Sequence, residues 1–435
     1  MSTPNSPSTQ RGSNSTRGRG RDVSSNWRVR RTSSPPGRGA PNNTSQVPKR
    51  DIMDGLKADP IQTFEKIDKP DGPDVKIADV QQHGSYSWLE AKEPTIAVPG
   101  SPRIWLNKSL PFTLPRDAGR SFVDQNRYRL HTYPMLPVFA AVDTLETNPG
   151  HPKLQWETVD FVTERNNLLK LLTFAEPSLD LRQDGNFRID LELISPWTIL
   201  MQRWEVTASR GKGGLGYGDS FETESTKAGP GCDSSTLVSH NRIISYDLAG
   251  LKMLIRFEVD ACYSTEAISD NSDLDDLADA LSSVKIGDGP SAPPTTKVGP
   301  INVVRAGREV AQRDLIKIKT KSSISPFPWI SAYPQLLLGQ TPTLKVGIHT
   351  RGTFETVLSR QLDSSEFDEE KAMIQPALNK LRKLLGHIHD AALERGRGAM
   401  LSIVCQDGVL KLIERTDGRL LLPPKVIRRF DPDFN

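Results

Sequence analysis

Cysteine is nearly absent: Cys232, Cys262 and Cys405 are the only three in 435 residues, with no Cys-x-x-Cys pair. That spacing excludes a disulfide framework and a zinc ribbon as the basis of the fold. No apolar run approaches the ~20 residues of a helical membrane span, and the first residues carry no signal-peptide core. A soluble, intracellular protein is the expectation. Histidine is also scarce, at 7, and His387 and His389 stand two apart in a helical pattern, where they point to different sides and do not share a metal. Apolar residues reach 36% and aromatics 6%, low enough that part of the chain is expected to stay unfolded.

What is abundant is basic charge at one end. Residues 1–50 hold ten Lys or Arg against the single acid Asp22, a net +9, in a background of Ser, Asn, Pro, Gly and Thr. The whole chain carries +3, so the remainder is about −6 by difference. The basic character therefore belongs to a disordered arm and not to the fold. The clusters Arg-Gly-Arg-Gly-Arg at 17–21 and Arg-Val-Arg-Arg at 28–31 suit an RNA backbone or a nuclear-import receptor, so a nuclear location is expected, with the cytoplasm as the alternative. The polar, Pro-rich stretch 51–83 reads as linker. Residues 1–83 are thus arm and linker, and 84–435 one folded domain with an acidic, disordered insertion at 264–300.

Within the domain, Pro94–Val142 reads as irregular segments and edge strands, punctuated by Pro and Gly. A strand ends at Thr163, and Leu168, Leu169, Leu171 and Leu172 then recur at helical spacing. Arg165 sits at that strand-to-helix junction, where a guanidinium can pair with phosphate in a cleft or make a surface salt bridge. Residues 187–206 alternate like two antiparallel strands joined at Ser195-Pro196. Leu344–His349 is a further strand, Ser364–Gly396 an amphipathic helix with acids early and bases late, and Leu401–Cys405 and Val409–Ile413 a hairpin about Asp407-Gly408. The sum is a mixed α/β (α+β) domain. The run Asp275-Asp276-Leu-Ala-Asp279 matches the Asp-Asp-x-x-Asp of prenyl-diphosphate synthases, but no second copy exists and strand signals surround it.

The chemistry concentrates between Gly214 and Tyr263 and again at Leu315–Ser322. Leu251–Tyr263 is apolar, β-branched and aromatic, and reads as a buried strand. Glu258 and Asp260 are two apart in it, so both carboxylates leave one face. Like charges side by side repel, and a divalent cation relieves them. On a second strand, Asp314–Ser322, Lys317 and Lys319 share a face. Acids on one strand beside a lysine on the next form the constellation of metal-dependent nucleases, in which carboxylates hold Mg²⁺ or Mn²⁺ and the lysine steadies water or phosphate.

Gly216–Tyr263, Leu315–Lys321 and Tyr333–His349 together resemble the DXO-type family of decapping nucleases, whose members hydrolyse faulty or NAD-bearing RNA 5′ ends and in some cases continue as 5′→3′ exonucleases. Arg165 in Phe-Val-Thr-Glu-Arg matches that family's strand-to-helix Arg, and Glu222 in Tyr-Gly-Asp-Ser-Phe-Glu loosely matches its Gly-aromatic-x-aromatic-Glu motif. Glu258-Val-Asp260 matches its Glu-x-Asp strand, and Gln335 before Leu-Leu-Leu-Gly-Gln-Thr-Pro its downstream Gln. The resemblance implies that Glu222, Glu258 and Asp260 bind Mg²⁺ or Mn²⁺ together with the Ile318 carbonyl. It further implies that Lys319 and Gln335 orient water and the scissile phosphate, with Glu258 and Asp260 essential to catalysis, and that Arg165 clamps a neighbouring phosphate.

The chain departs from the family pattern at two positions. Glu164 stands where an aromatic residue usually precedes the Arg, and Lys317 stands where Glu-x-Lys-Thr has its Glu, with Lys319 and Thr320 kept. An ammonium aimed at a two-metal site is electrostatically equivalent to an ion occupying it. Two functions follow as expectations. One is a metal-dependent decapping hydrolase acting on RNA 5′ ends; the other is a catalytically impaired relative that binds RNA or partners an Xrn-type 5′→3′ exoribonuclease.

Overall fold

The computed structural model describes residues 50–67, 72–181, 185–211, 216–232, 236–264 and 295–430. Residues 1–49 of the basic arm and the Asp275–Asp279 run lie outside the described residues.

Two large mixed sheets, a two-stranded ribbon and a helical layer make up the described fold. The larger sheet has twelve strands, in the order 62–64, 409–414, 400–406, 187–193, 199–204, 161–164, 252–259, 237–248, 77–89, 95–100, 301–307 and 295–298. The smaller has seven, in the order 226–227, 104–105, 261–262, 315–322, 343–350, 353–361 and 112–113. One stretch of chain belongs to both. Lys252–Val259 lies in the large sheet, parallel to Phe161–Glu164, and Ala261–Cys262 lies in the small one, antiparallel to Leu315–Ser322. Asp260 is the residue between them, so the seam of the sheets is also where the acidic strand meets the lysine strand.

The helices Arg165–Ala175, Trp329–Gly339 and Asp368–Leu393 pack on one another beside the large sheet. Asp368–Leu393 buries Ile374, Leu378, Leu381, Leu385 and Ile388, a three-to-four-residue spacing that forms one apolar stripe. The hairpin turns at Asp407 and Gly408, both at positive φ (51° and 77°), as a two-residue connection between right-twisted strands requires. The strand expected before Arg165 is Phe161–Glu164, and the pair at 187–206 is the antiparallel couple Phe187–Leu193 and Ile199–Trp204.

Several expectations are corrected. The linker expected at 51–83 is part of the fold: Gln62–Phe64 pairs with Leu410–Leu412, and Ile77–Leu89 is a central strand. The reason lies in Phe187–Leu193, whose polar side chains Arg188, Asp190 and Glu192 are buried along with its apolar ones. Arg188 needs acceptors there, and finds Asp190 Oδ1 at 2.6 Å and the carbonyls of Ile52 and Asp54 at 3.1 and 2.6 Å. The polar stretch is thus recruited by hydrogen bonds that its own composition does not advertise.

Pro94–Val142 is likewise less irregular than expected, since Thr95–Gly100 is an interior strand and Leu136–Glu146 a helix. That helix is apolar nearly all round because it is buried nearly all round, which removes the periodicity that marks a surface helix. The insertion ends earlier than expected, with Thr295–Val298 paired to Ile301–Val304. The long helix carries Asp368, Glu369 and Glu370 in its first turn but no base in its last, so only half of the expected dipole pattern is present.

Candidate functional site

A cleft of about 1020 Å³ opens at the seam of the two sheets. Arg165, Glu222, Glu258, Asp260, Lys319 and Gln335, six site residues expected from the sequence, all line it, and Lys317 lines it with them. They come from five elements far apart in the chain.

Asp260 is buried, and both of its oxygens are engaged. Lys317 Nζ donates to Oδ1 at 2.6 Å, and the Ile318 N–H donates to Oδ2 at 2.7 Å. The strand register expected from alternation therefore holds: Lys317 faces the site, as does Lys319, while Ile318 points into the core behind. Ile318, whose carbonyl is the expected metal ligand, meets Asp260 through its amide hydrogen.

The other charges respond to this arrangement. Burial, then the neighbouring Asp260 charge, pushes the Glu222 carboxyl up to about 8, with Lys317 opposing. Glu258 is reachable from the cleft but walled by protein; desolvation raises its pKa against the pull of Lys317 and Arg165. Desolvation and the Lys317 charge lower Lys319 to about 8. Burial also lowers Arg165, outweighing Asp260 and Glu258. Burial sets the direction of each shift; the Lys317 charge opposes it at Glu222 and Glu258 and adds to it at Lys319.

Arg165 begins its helix and spans the cleft wall. Its Nη1 donates to the Gln335 carbonyl at 3.3 Å and its Nη2 to the Glu258 carbonyl at 3.4 Å, and the guanidinium lies over Phe257 at 5.0 Å. Gly339 makes room for it, since a Cβ there would lie 2.9 Å from Nη1. Gln335 Nε2 donates back to the Ser331 carbonyl at 3.1 Å. Glu164, the residue before Arg165, does not cap the helix: its buried carboxylate pairs with Arg256.

Among the described residues, no group of three His, Cys, Asp or Glu side chains is arranged to hold a metal ion. The donors expected for Mg²⁺ or Mn²⁺ line one cleft, but each Asp260 oxygen already accepts from an ammonium or an amide and the Lys317 charge stands among the acids, so the residues present do not fit a two-metal centre. Sequence reasoning missed Asp219, Asn241 and Lys321, which also line the cleft. Asp219 could have been found three residues before Glu222, one helical turn away; Asn241 could not, because only its pairing opposite Glu258 brings it here.

This architecture, two mixed sheets meeting where an acidic strand lies beside a lysine strand, is a Rai1-like fold. S. pombe Rai1 matches with a TM-score of 0.52 at 14% identity, over 81% of this chain and 99% of that one. Candida albicans Rai1 in complex with pU5-Mn²⁺ matches with a TM-score of 0.55 at 10% identity, over 86% and 100%. Scheffersomyces stipitis Rai1 in complex with (3′-NADP)⁺ and calcium matches with 0.54 at 11%, over 86% and 100%. No curated protein sequence matches. Residues 65–415 match the family model described as "Domain of unknown function (DUF8563)", and the chain belongs to that family.

Proposed function

We propose that this protein binds phosphorylated RNA 5′ ends in the seam cleft and that Lys317 serves there as a built-in cation, leaving metal-dependent hydrolysis weak or absent. The observation that carries the reading is the 2.6 Å pair between Lys317 and Asp260. It neutralises the carboxylate that a metal would require and leaves Lys319 and Arg165 to attract phosphate. Support also comes from the structural relatives, one of which holds pU5 and Mn²⁺.

The test compares binding of 5′-phosphorylated and 5′-hydroxyl RNA in EDTA, then incubates triphosphate-, NAD- and unmethylated-cap RNA with Mg²⁺ or Mn²⁺. Phosphate-dependent binding without metal, and little or no hydrolysis, is expected. A second reading, a metal-dependent decapping hydrolase, is favoured by Glu222, Glu258 and Lys319 all facing the cleft. Brisk hydrolysis by the wild type, abolished in Glu258→Ala and Asp260→Ala, would replace the first reading with the second.

A further inference from the structure

The cleft is larger than a phosphate needs. Pockets of about 300–1,000 Å³ hold whole drug-sized ligands, and this one, at about 1020 Å³, continues past the charged floor to an aromatic rim. Phe122 lines it there. This ring is 39% exposed, as is Tyr128, and the two pack with centroids 4.6 Å apart and planes at 54°. Both rings thus keep an accessible face on which a flat apolar group can stack and bury further surface.

The backbone beneath them is held from several directions. Arg120–Phe122 pairs with Ser209–Gly211, and the Val123 N–H donates to the Ala208 carbonyl at 2.8 Å. Asp124 caps the helix Gln125–Arg129 by accepting from the Arg127 N–H at 3.0 Å. Asn126 roots the same helix in the core, its Oδ1 accepting from the Tyr86 hydroxyl at 2.6 Å and from Trp88 Nε1 at 2.8 Å. Phe122 and Tyr128 flank this anchored turn, so the rings are held in place before any ligand arrives.

We propose that Phe122, backed by Tyr128, is a base-stacking subsite for a nucleotide at or next to the 5′ end whose phosphate is held by Lys319 and Arg165. The occupant follows from complementarity: a nucleotide is an anion joined to a flat aromatic ring, and the cleft that holds the Lys319 ammonium and the Arg165 guanidinium also holds the half-exposed ring of Phe122.

The inference rests on the RNA 5′-end reading, and its test separates the two. Binding of 5′-phosphorylated RNA carrying 2-aminopurine or an abasic residue at the first or second position is measured by anisotropy and 2-aminopurine quenching. The proteins are the wild type, Phe122→Ala and Phe122→Trp, with melting temperatures checked in parallel. Phe122→Ala should weaken binding on the order of tenfold, the size of one base–aromatic stack, and abolish the quenching, while Phe122→Trp retains both. Wild type should lose a similar factor on the abasic RNA, a comparison that needs no variant to fold. If abasic RNA binds the wild type as well as intact RNA, or Phe122→Ala still binds and quenches fully, the stacking subsite is overturned and the phosphate reading stands. Failure of wild type to bind any 5′-phosphorylated RNA overturns both.

Discussion

Replacing Lys317 by Glu tests whether the ammonium holds the place of an ion. Lys317 Nζ lies 2.6 Å from Asp260 Oδ1, with 15% and 7% of the two side chains exposed. At an effective dielectric of ~20 the attraction is roughly 6 kcal/mol, much of it cancelled by the desolvation of both groups. Removing one member of such a buried pair costs about 3–5 kcal/mol. Lys317→Glu also adds a carboxylate beside Asp260, Glu258 and Glu222. Proton uptake limits the added repulsion, since Glu222 already titrates near 8.

Without metal, the Lys317→Glu protein should therefore lose about 4 kcal/mol, a fall of roughly 8–16 °C at about 2–4 °C per kcal/mol. With divalent metal the sign reverses, because the new carboxylate and those of Asp260, Glu258 and Glu222 become ligands. Metal at a hundred times its dissociation constant restores about 2.7 kcal/mol. The assay is a thermal melt of both proteins in EDTA and in millimolar Mn²⁺, followed by 5′-end hydrolysis. The wild-type melting temperature should ignore Mn²⁺, the variant's should climb by several degrees, and hydrolysis should rise from its baseline. A wild type that is itself stabilised by Mn²⁺, with a variant that gains nothing, would refute the assignment of Lys317 to the ion position.

Two further outcomes follow from the same charges. Lys319 titrates near 8, so it is charged on the acid side of that value and neutral above it, while Glu222 gains its negative charge across the same window. Affinity for 5′-phosphorylated RNA should hold below about pH 7 and fall between about pH 7.5 and 9, with a flatter profile for Lys319→Arg, whose guanidinium stays charged. Arg256→Met leaves the Glu164 carboxyl buried without its partner, and should cost about 3–5 kcal/mol in urea unfolding. The double variant Arg256→Met/Glu164→Leu should recover much of that loss.

The sequence by itself determined the strand that carries Glu258 and Asp260, the face shared by Lys317 and Lys319, and the strand-to-helix junction at which Arg165 sits. These are local matters: alternation sets which side a strand residue leaves from, and an apolar repeat of three to four residues sets where a helix starts. The same parity argument showed that Lys317 must enter the site if Lys319 does, as its bond to Asp260 bears out.

Only the tertiary structure decided which strand meets which. Asn241 reaches the cleft because its strand pairs opposite Glu258, and Phe122 reaches it from a short strand far from any site motif. The polar segment 50–64 folds because a buried Arg188 needs its carbonyls, and Leu136–Glu146 hid its helix by being apolar on every side. In each case the deciding partner lies far away in the chain. Burial and hydrogen-bond satisfaction are properties of the packed molecule, and a stretch read alone cannot show what will cover it.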